Sequence, residues 1–515
     1  MLILTLGVVF LSLTGWFCFL RARYGIKTEL LPVFTFSCVG FAMFLAGILN
    51  LLPHLAWLIT LAGVALLARC LWRDRSELFQ KAALASFWLP TLSFFALCFA
   101  GAWYFQGKMI LSCDNYTHWG LIAKNLVMHD RLPNFENAEL FLFPYYQPGS
   151  AVFIYYLCEF IGLSDGKMLL GQGMLLLACL WPLTGFVRRR RLYALPLIGV
   201  AGAFLLTCNI QITELLVDTL LPLLAGAAFY AVFAYRDEPE KGMLCAAPIL
   251  WYLLTIKNSA PVFYAAALAV LLYALHRQGR LRARWKAVAI LYIAVPLLSE
   301  LLWKRHVSFT YADADASLHA FSLSSWLNNL RMKQTLGMSF SAFAREFLQK
   351  LLVWNNPVFL LLSFLLALTA VLALLTRNRG ETRACLRLIG FCAAFYLCFL
   401  AGLLGMYVFS MHFSEGLALN GFERYHQSCV IFLYYVVLVR ALSVPAGPRA
   451  RRRTPETALC ACALAGLTAF TLLPQPQVDP TPREALRAVR EHMEPIASEY
   501  AIPPGKQTLV YLSDL

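Results

Sequence analysis

Several charged or titratable side chains are predicted at the ends of long apolar segments, where they could do chemistry. A charge at the rim of a bilayer is costly unless it faces a polar cavity, so such residues are functional candidates. A carboxylate can accept a proton from a hydroxyl group, whereas Lys and Arg can hold an anion such as a phosphate. The candidates on one predicted face are Asp114, His118, Lys124, Glu159, Glu214, Asp218, Lys257, Glu300, Glu423 and Arg424.

Asp114 and His118 lie four residues apart at the start of an amphipathic pattern. Trp119, Ile122 and Leu126 follow at helical spacing and predict one apolar helix face. If the helix begins at Asp114, the carboxylate and the imidazole lie one turn apart and both point away from that face. The alternative interpretation makes Asp114 an N-cap residue and His118 an ordinary surface residue.

The other charges each have a functional and a structural interpretation. Lys257 and Arg424 can bind a phosphate, Arg through a two-oxygen edge and Lys as a point charge. Alternatively, Lys257 snorkels at a helix end, and Arg424 pairs with Glu423 or anchors its helix in the headgroup layer. Glu214 and Asp218 are predicted one turn apart at the start of a span. They are interpreted as supporting carboxylates in a cavity, a cation site or a solvated helix start.

The composition places all these residues in a membrane protein. The chain has 515 residues, of which 60% are hydrophobic and only 14% charged, so it cannot cover a soluble fold with polar surface. Its apolar residues are gathered in blocks long enough to cross a bilayer, which excludes disordered, fibrous and ordinary globular classes. The net charge of +15 falls mainly in short loops on one side, as the positive-inside rule predicts, and no basic stripe indicates nucleic-acid binding.

The apolar blocks predict about 14 transmembrane helices with the N-terminus outside. The apolar stretch 151–163 is too short to cross, so it predicts a juxtamembrane or re-entrant helix. The predicted organisation is four transmembrane helices in 1–105, a first outer loop with juxtamembrane helices in 106–165, transmembrane helices in 166–303, a second outer loop in 304–350, transmembrane helices in 351–473 and an outer C-terminal tail in 474–515.

The first outer loop carries a series of short motifs after Asp114. They are Arg131-Leu132-Pro133, then Tyr145-Tyr146-Gln147-Pro148-Gly149, then a short apolar helix that ends near Phe160-Ile161-Gly162. This arrangement resembles the first outer loop of the GT-C superfamily of integral-membrane glycosyltransferases. These enzymes take sugars from polyprenyl-phosphate donors, and they include protein mannosyltransferases and the aminoarabinose transferases of lipid A.

Two later segments add to the resemblance, which covers roughly 114–444. The run from Thr255 to Asn258, followed by Pro261, resembles that superfamily's Thr-Lys break between two short membrane helices. The run from Glu423 to Tyr425 resembles its Arg-Tyr motif at the start of a late span. The resemblance implies an all-α polytopic fold with juxtamembrane helices at the outer face.

The activity that the resemblance implies is inverting transfer of a hexose or pentose, and simple chemistry gives the residues their roles. Transfer from a lipid phosphate to a hydroxyl requires a base, cations for the departing phosphate and a groove for the lipid tail. Asp114 is the candidate catalytic base. The candidate substrate-binding residues are His118, Lys257, Glu423, Arg424 and Tyr425, with Glu214 and Asp218 in support.

The implied partners are a polyprenyl-phosphate-linked sugar, membrane lipid and an acceptor that is a glycan, a lipid or a protein, with no nucleic acid. The implied location is the inner membrane of a bacterial cell, with the site on the outer face and a role in cell-envelope glycan. No metal-ligating set is predicted, and the cofactor stays unknown, with a divalent cation as one option. Asp313 and Asp315 match the Asp-x-Asp triplet of soluble nucleotide-sugar enzymes, but a single triplet in a polar loop is more simply solvated.

A transporter or flippase of lipid-linked glycans is the main alternative, since it would also have many spans and buried charges. Transporters place their charges near the bilayer midplane and often show internal repeats. Here the candidates cluster at outer helix ends, the long loops share one face, and no internal repeat is present. A polymerase or ligase of lipid-linked glycans shares that face and remains a further alternative, whereas a pure scaffold fits the rim charges least.

Overall fold

The computed structural model describes residues 2–110, 112, 114–141, 143–187, 212–311, 323–352, 357–375 and 379–443. Helix accounts for 83% of the structure, and no described residue lies in a β-strand. An α-helix satisfies its backbone N–H and C=O groups within one segment, which is what long apolar blocks in a membrane require. The prediction of an all-α fold is therefore confirmed for the described residues.

The helices of the described ranges follow one another closely along the chain. In order they are α1 (Leu2–Tyr24), α2 (Thr28–Ile48), α3 (Leu52–Arg73), α4 (Lys81–Tyr104), α5 (Gly120–His129), α6 (Gly149–Ile161), α7 (Asp165–Phe186), α8 (Leu220–Ala234), α9 (Pro239–Leu254), α10 (Ala260–Arg277), α11 (Leu281–Thr310), α12 (Leu323–Thr335), α13 (Phe340–Leu351), α14 (Pro357–Leu375), α15 (Arg379–Ser410), α16 (Phe413–Leu417) and α17 (Phe422–Ser443).

Nine of the described helices are long and apolar enough to cross a membrane, namely α1 to α4, α7, α10, α11, α15 and α17. The spans predicted at 213–235, 243–256 and 351–375 correspond to the shorter helices α8 and α9 and to α14. The spans predicted at 192–210 and 458–473, and the tail 474–515, lie outside the described residues. A total of about 14 spans stays a prediction.

Two segments differ from their predicted form. The span expected from residue 213 becomes helical only at Leu220, and residues 212–219 are non-helical, so Glu214 and Asp218 do not lie one helical turn apart. The segment 304–350, expected as a loop, contains the end of α11 and all of α12, and nearly all of α13. Its part that holds Asp313 and Asp315 lies outside the described residues.

The short helix expected at 151–163 is present as α6, with 13 residues. At 1.5 Å per residue it is about 20 Å long, which is too short for a hydrocarbon core of about 30 Å. Its residues from Ala151 to Cys158 are at most 1% exposed, since its sequence is apolar on every side and α2, α5 and α7 pack around it. The helix is therefore enclosed by protein rather than laid on a surface.

Consecutive helices α8, α9 and α10 run in alternating directions, so their connections lie at two opposite ends of the helix bundle. We call these two ends the site end and the basic end. The site end holds Asp218, just before α8, and Lys257, between α9 and α10. The basic end holds the two opposite turns, where Arg280 and Arg284 lie 3.8 and 3.6 Å from the carboxylate of Glu240. The helix ends thus gather two kinds of charged residues in two places.

Candidate functional site

Asp114 leads into a single turn of π-helix, Asn115–Trp119, which continues as α5. Trp119, Ile122 and Leu126 are at most 5% exposed, so the predicted apolar face is confirmed. The alternative that makes His118 an ordinary surface residue is wrong, because His118 is only 2% exposed. The π-turn closes i→i+5 hydrogen bonds and so changes the angular positions that α-helical spacing assumes.

Asp114 is not an N-cap in this structure. Its carboxylate makes no capping hydrogen bond with the helix, and it instead accepts a hydrogen bond from Nη1 of Arg424. The two residues are 310 positions apart in the chain. The Asp114 side chain remains 40% exposed, so one part of the carboxylate faces open space. A residue whose only role was to cap the start of a helix would not need an ion pair with an arginine of a distant helix.

Arg424 links Asp114 to a second, buried ion pair. Its Nε lies 3.3 Å from Oδ2 of Asp218, and the other oxygen of Asp218 accepts a hydrogen bond of 2.7 Å from Nζ of Lys257. Both members of the Asp218–Lys257 pair are 8% exposed. Lys257 and Arg424, the two candidate phosphate-binding cations, therefore meet at one carboxylate, that of Asp218. We refer to Asp114, Arg424, Asp218 and Lys257 as the charge series.

The electrostatic state of Asp218 follows from two opposing effects. Burial raises its pKa, but the attraction of Lys257 and Arg424 outweighs burial and leaves the pKa below its ordinary value. Asp218 is therefore ionised at neutral pH. The ring of Tyr425 lies 5.0 Å from the Lys257 ammonium and 5.3 Å from the Arg424 guanidinium. Cation–π attraction thus supplements the ion pairs on both cations.

Glu214 anchors the first loop and does not join the charge series. Its carboxylate accepts hydrogen bonds from the side-chain amide of Asn115 and, at 3.3 Å, from the backbone N–H of Ser112. The same Asn115 accepts a 3.2 Å hydrogen bond from the backbone N–H of Leu215. Glu214 and Asp218 are 7% and 6% exposed, so their interpretation as a solvated helix start is wrong, and the two carboxylates contact different partners.

His118 is the most isolated polar side chain near the charge series. Neither ring nitrogen has a hydrogen-bond partner within the described part of the chain. The imidazole instead meets the rings of Trp119, Phe143 and Tyr146 edge-on, at centroid distances of 4.6, 5.9 and 5.1 Å. Burial and the charge of Lys257 lower its pKa to about 3, so His118 is neutral at physiological pH.

The structural alternatives for Arg424 and Lys257 are not what the structure shows. Glu423 is exposed and, among the described residues, forms no ion pair with Arg424. Both cations turn inward onto Asp218 rather than outward as snorkelling side chains would. Of the remaining candidates, Lys124 pairs with Asp165, Glu159 accepts a hydrogen bond from Trp57, and Glu300 accepts one from Gln147.

Two separate cavities lie beside members of the charge series. The apolar cavity, of about 220 Å³, has Asp218, Lys257 and Tyr425 at its polar end, and its walls include Val262, Phe263 and Leu403 of the spanning helices α10 and α15. The polar cavity, of about 400 Å³, is lined by side chains that include Lys350, Asn420, Glu423, Arg424 and Gln427. Arg424 lines the polar cavity, and the neighbouring Asp218 lines the apolar cavity.

A divalent cation does not fit the carboxylates as they are arranged. Asp114 and Asp218 could each supply oxygen ligands, but Arg424 lies between them and Lys257 occupies the other side of Asp218. The described residues also contain no group of three His, Cys, Asp or Glu side chains that could hold a metal ion. We therefore derive no chemical step through a metal.

Sequence reasoning missed two residues that shape the site. Asn115 is fully buried and joins the first loop to residues 214 and 215. Ser428 donates a 2.7 Å hydrogen bond to the backbone carbonyl of Asp218 and so ties α17 to the turn before α8. Ser428 lies one helical turn after Arg424, at the start of the apolar run of α17. This position was the sequence signal that could have identified it. Nothing in the sequence near Asn115 indicates its partner.

No protein-family model, curated protein or solved structure matches this chain. The functional argument therefore depends on the chemistry of the charge series and its two cavities.

Proposed function

We propose that this protein is a membrane glycosyltransferase that moves a sugar from a polyprenyl-phosphate donor to a hydroxyl group of an acceptor. The observation that carries the proposal is that Lys257 and Asp218 line a cavity with mainly apolar walls, whereas Arg424 lines a second cavity that also contains the polar side chains Lys350, Asn420, Glu423 and Gln427. A lipid-linked sugar has matching parts, which are an apolar tail, an anionic phosphate and a polar sugar.

The proposed donor tail lies in the apolar cavity, against the walls that α10 and α15 supply. Its phosphate then lies near Lys257 and Arg424. An ammonium has three N–H donors and a guanidinium five, so both can bind phosphate oxygens while keeping Asp218. The charges of Asp114 and Asp218 already balance those of Lys257 and Arg424. The attraction between these cations and the phosphate therefore strengthens most when negative charge develops on the departing phosphate. That favours stabilisation of the transition state over tight donor binding.

In the proposed reaction, the acceptor oxygen attacks the anomeric carbon of the donor sugar. The bond from that carbon to the phosphate oxygen breaks, and its electron pair leaves with the polyprenyl phosphate. The acceptor proton passes to Asp114, whose side chain is 40% exposed and so accessible to a hydroxyl group. Attack opposite the departing phosphate inverts the anomeric centre, and the products are a glycosylated acceptor and polyprenyl phosphate.

The placement of the charges favours transfer over transport. Asp114, Asp218 and Lys257 lie in connections between helices, and Arg424 is the third residue of α17. A transporter of a charged lipid needs polar groups along its path through the membrane, usually near the midplane. A polymerase or ligase of lipid-linked glycans would use the same face, and it differs from the proposed enzyme in its donor.

The proposed location of the site is the outer face of a bacterial inner membrane. The turns of the basic end and the adjoining helix ends carry Arg236, Lys241, Arg277, Arg280 and Arg284. Basic short loops favour the cytoplasmic side, which leaves the site end outside. Polyprenyl-phosphate sugars presented on that outer leaflet would reach the apolar cavity from the bilayer.

The test uses purified full-length protein in lipid nanodiscs with polyprenyl-phosphate-linked hexoses and pentoses, in the presence of a mixed acceptor extract. Mass spectrometry follows formation of free polyprenyl phosphate and of glycosylated products. We expect transfer with at least one donor, and a roughly 100-fold lower rate for Arg424→Gln, because a preorganised charge partner of the phosphate is lost. Arg131→Gln is the matched control, since Arg131 pairs with Glu136 in an exposed position of the first loop.

Two results would contradict the proposal. One is the absence of both donor cleavage and transfer for every donor tested. The other is movement of an intact fluorescent lipid-linked sugar across proteoliposomes without chemical change, which would indicate a flippase.

A further inference from the structure

Lys333 is a fully buried lysine outside the charge series. It lies on α12, and its side chain has no exposed surface. Its ammonium donates hydrogen bonds to the backbone carbonyls of Tyr407, Val408 and Met411, at 2.7, 3.0 and 2.8 Å. All three N–H donors of the ammonium are therefore used on one short stretch of backbone.

Asn329 lies one helical turn before Lys333 and completes the same contact. Its side-chain amide donates to the carbonyls of Phe409 and Ser410, at 3.3 and 3.2 Å. Together the two side chains of α12 satisfy five successive carbonyls, those of residues 407–411. We call this contact the α12 clamp.

The clamp answers a physical need of α15. That helix ends in a π-helical turn, Met406–Ser410, and the last carbonyls of any helix have no partner within it. A cation at a helix C-terminus is also favoured by the helix dipole. Burial lowers the pKa of Lys333 to about 8, so the side chain is still mainly an ammonium at neutral pH. The clamp thus replaces the water that an exposed helix end would bind.

The clamped turn is a wall of the candidate site. Met406, Ser410 and Met411 line the apolar cavity, together with Lys257 and Tyr425. Tyr407 donates a 2.7 Å hydrogen bond to the carbonyl of Asn420, in the turn just before α17. The same turn therefore contacts both the cavity and the segment that presents Arg424.

We propose that Lys333 is a positioning residue of this site: with Asn329 it fixes the end of α15 so that the apolar cavity keeps its shape. The cavity wall then guides the part of an occupant that lies deepest among the spanning helices. That occupant is the tail of a polyprenyl-phosphate donor, a statement that depends on the proposed function. The fixing of the wall itself does not depend on it.

The first test measures the wall directly. Ser410→Cys supplies a reporter, and the rate of its reaction with a water-soluble maleimide is read at residue 410 by peptide mass spectrometry, so other cysteines do not interfere. Adding Lys333→Met leaves three carbonyls without their donor, and we expect labelling to become roughly tenfold faster because the turn opens more often. Arg331→Met is the matched control, an exposed cation on the same helix, and we expect it to leave the rate unchanged.

A second variant disturbs the α12 clamp without substituting Lys333 itself. A Cβ at Gly416 would lie 2.7 Å from the carbonyl oxygen of Tyr407 and 2.8 Å from Nζ of Lys333, so Gly416→Ala must disturb the contact between this carbonyl and the ammonium. We expect it to accelerate labelling in the same direction. Unchanged labelling in folded Lys333→Met would overturn the proposal. If Lys333→Met does not fold, Lys333→Gln replaces it, and failure of both to fold would assign Lys333 to the stability of the whole protein and overturn the positioning role.

The last test separates this inference from the proposed function. With transfer established, Lys333→Met is assayed with donors of long and short polyprenyl tails. We expect KM to rise roughly tenfold for the long tail and little for the short one, with kcat nearly unchanged, because the wall contacts the tail and not the sugar. Equal effects on both donors would overturn the link to the tail. Faster labelling in a protein that cleaves no donor would leave the clamp in place and contradict the glycosyltransferase instead.

Discussion

The two ends of the helix bundle both gather charged residues, but they treat them in opposite ways. At the basic end, the pair Lys241–Glu238 joins neighbours in the chain, and its side chains are 48% and 56% exposed. At the site end, Lys257 and Asp218 come from different connections and are each 8% exposed. The pair Lys241–Glu238 remains solvent-exposed, whereas the pair Lys257–Asp218 is almost completely desolvated.

This difference shows where the protein has a specific need for charge. An exposed ion pair contributes about 0–1 kcal/mol, so the basic end could exchange its charges freely as long as they remain positive overall. A buried pair costs several kcal/mol to desolvate, and apolar residues of similar size are often equally stable in its place. Charges kept in the site end therefore point to a role other than stability, which is why we place the chemistry there.

The largest expected effect on stability is at Lys257. Among the described residues, Lys257→Met leaves the buried Asp218 with Arg424 as its remaining cation, and loss of one partner of a buried pair costs about 3–5 kcal/mol. We expect a clear fall in melting temperature by nanoscale fluorimetry. Lys241→Met at the basic end is the control, with a melting temperature equal to wild type. Equal effects at the two positions would erase the distinction between the two ends.

A paired substitution sharpens the same comparison. Asp218→Leu combined with Lys257→Met removes both members of the buried pair and leaves Asp114 paired with Arg424. We expect the double variant to recover most of the stability that Lys257→Met loses, because no unpaired charge remains. Transfer activity is expected to stay low, since Lys257, one of the two proposed phosphate partners, is gone. Recovery of both stability and transfer would show that the pair is only structural.

The smallest effect concerns pH and His118. The folded chain binds a proton on this imidazole only near pH 3, whereas the unfolded chain binds it near pH 6.5. Stability from this position is therefore complete above pH 6.5 and is lost as the pH falls, by about 2 kcal/mol at pH 5. His118→Phe keeps a ring among Trp119, Phe143 and Tyr146 and removes the titration. We expect its melting temperature to fall less than that of wild type between pH 7 and pH 5, and parallel curves would contradict the burial of His118.

The sequence predicted the broad organisation because that organisation depends on composition. Long apolar blocks predict helices across a membrane, and the spacing of Trp119, Ile122 and Leu126 predicts which face of α5 is buried. Lys257 and Arg424 were identifiable as candidates because charges beside apolar runs are expensive. These signals are all local in the chain.

The arrangement of the site was harder to predict because it depends on distant partners. Arg424 has Glu423 beside it in the chain but binds Asp114 and Asp218, which lie on other elements. Asp218 was expected only in a supporting role on a helix, and a turn of non-helical backbone instead brings it between two cations. Lys333 was not identified because it lies in a polar segment expected as a loop. No local sequence pattern indicates that a lysine will bind the end of another helix.

The most direct test of the central claim is the rate of sugar transfer by Asp114→Asn, measured beside its melting temperature. The substitution keeps the shape of the side chain and removes its ability to accept the acceptor proton. We predict a well-folded protein whose turnover falls on the order of 100 to 10,000-fold, while Glu136→Gln, an exposed carboxylate in the same loop, keeps normal turnover. Near-wild-type turnover in well-folded Asp114→Asn would contradict the account and remove Asp114 from the chemistry.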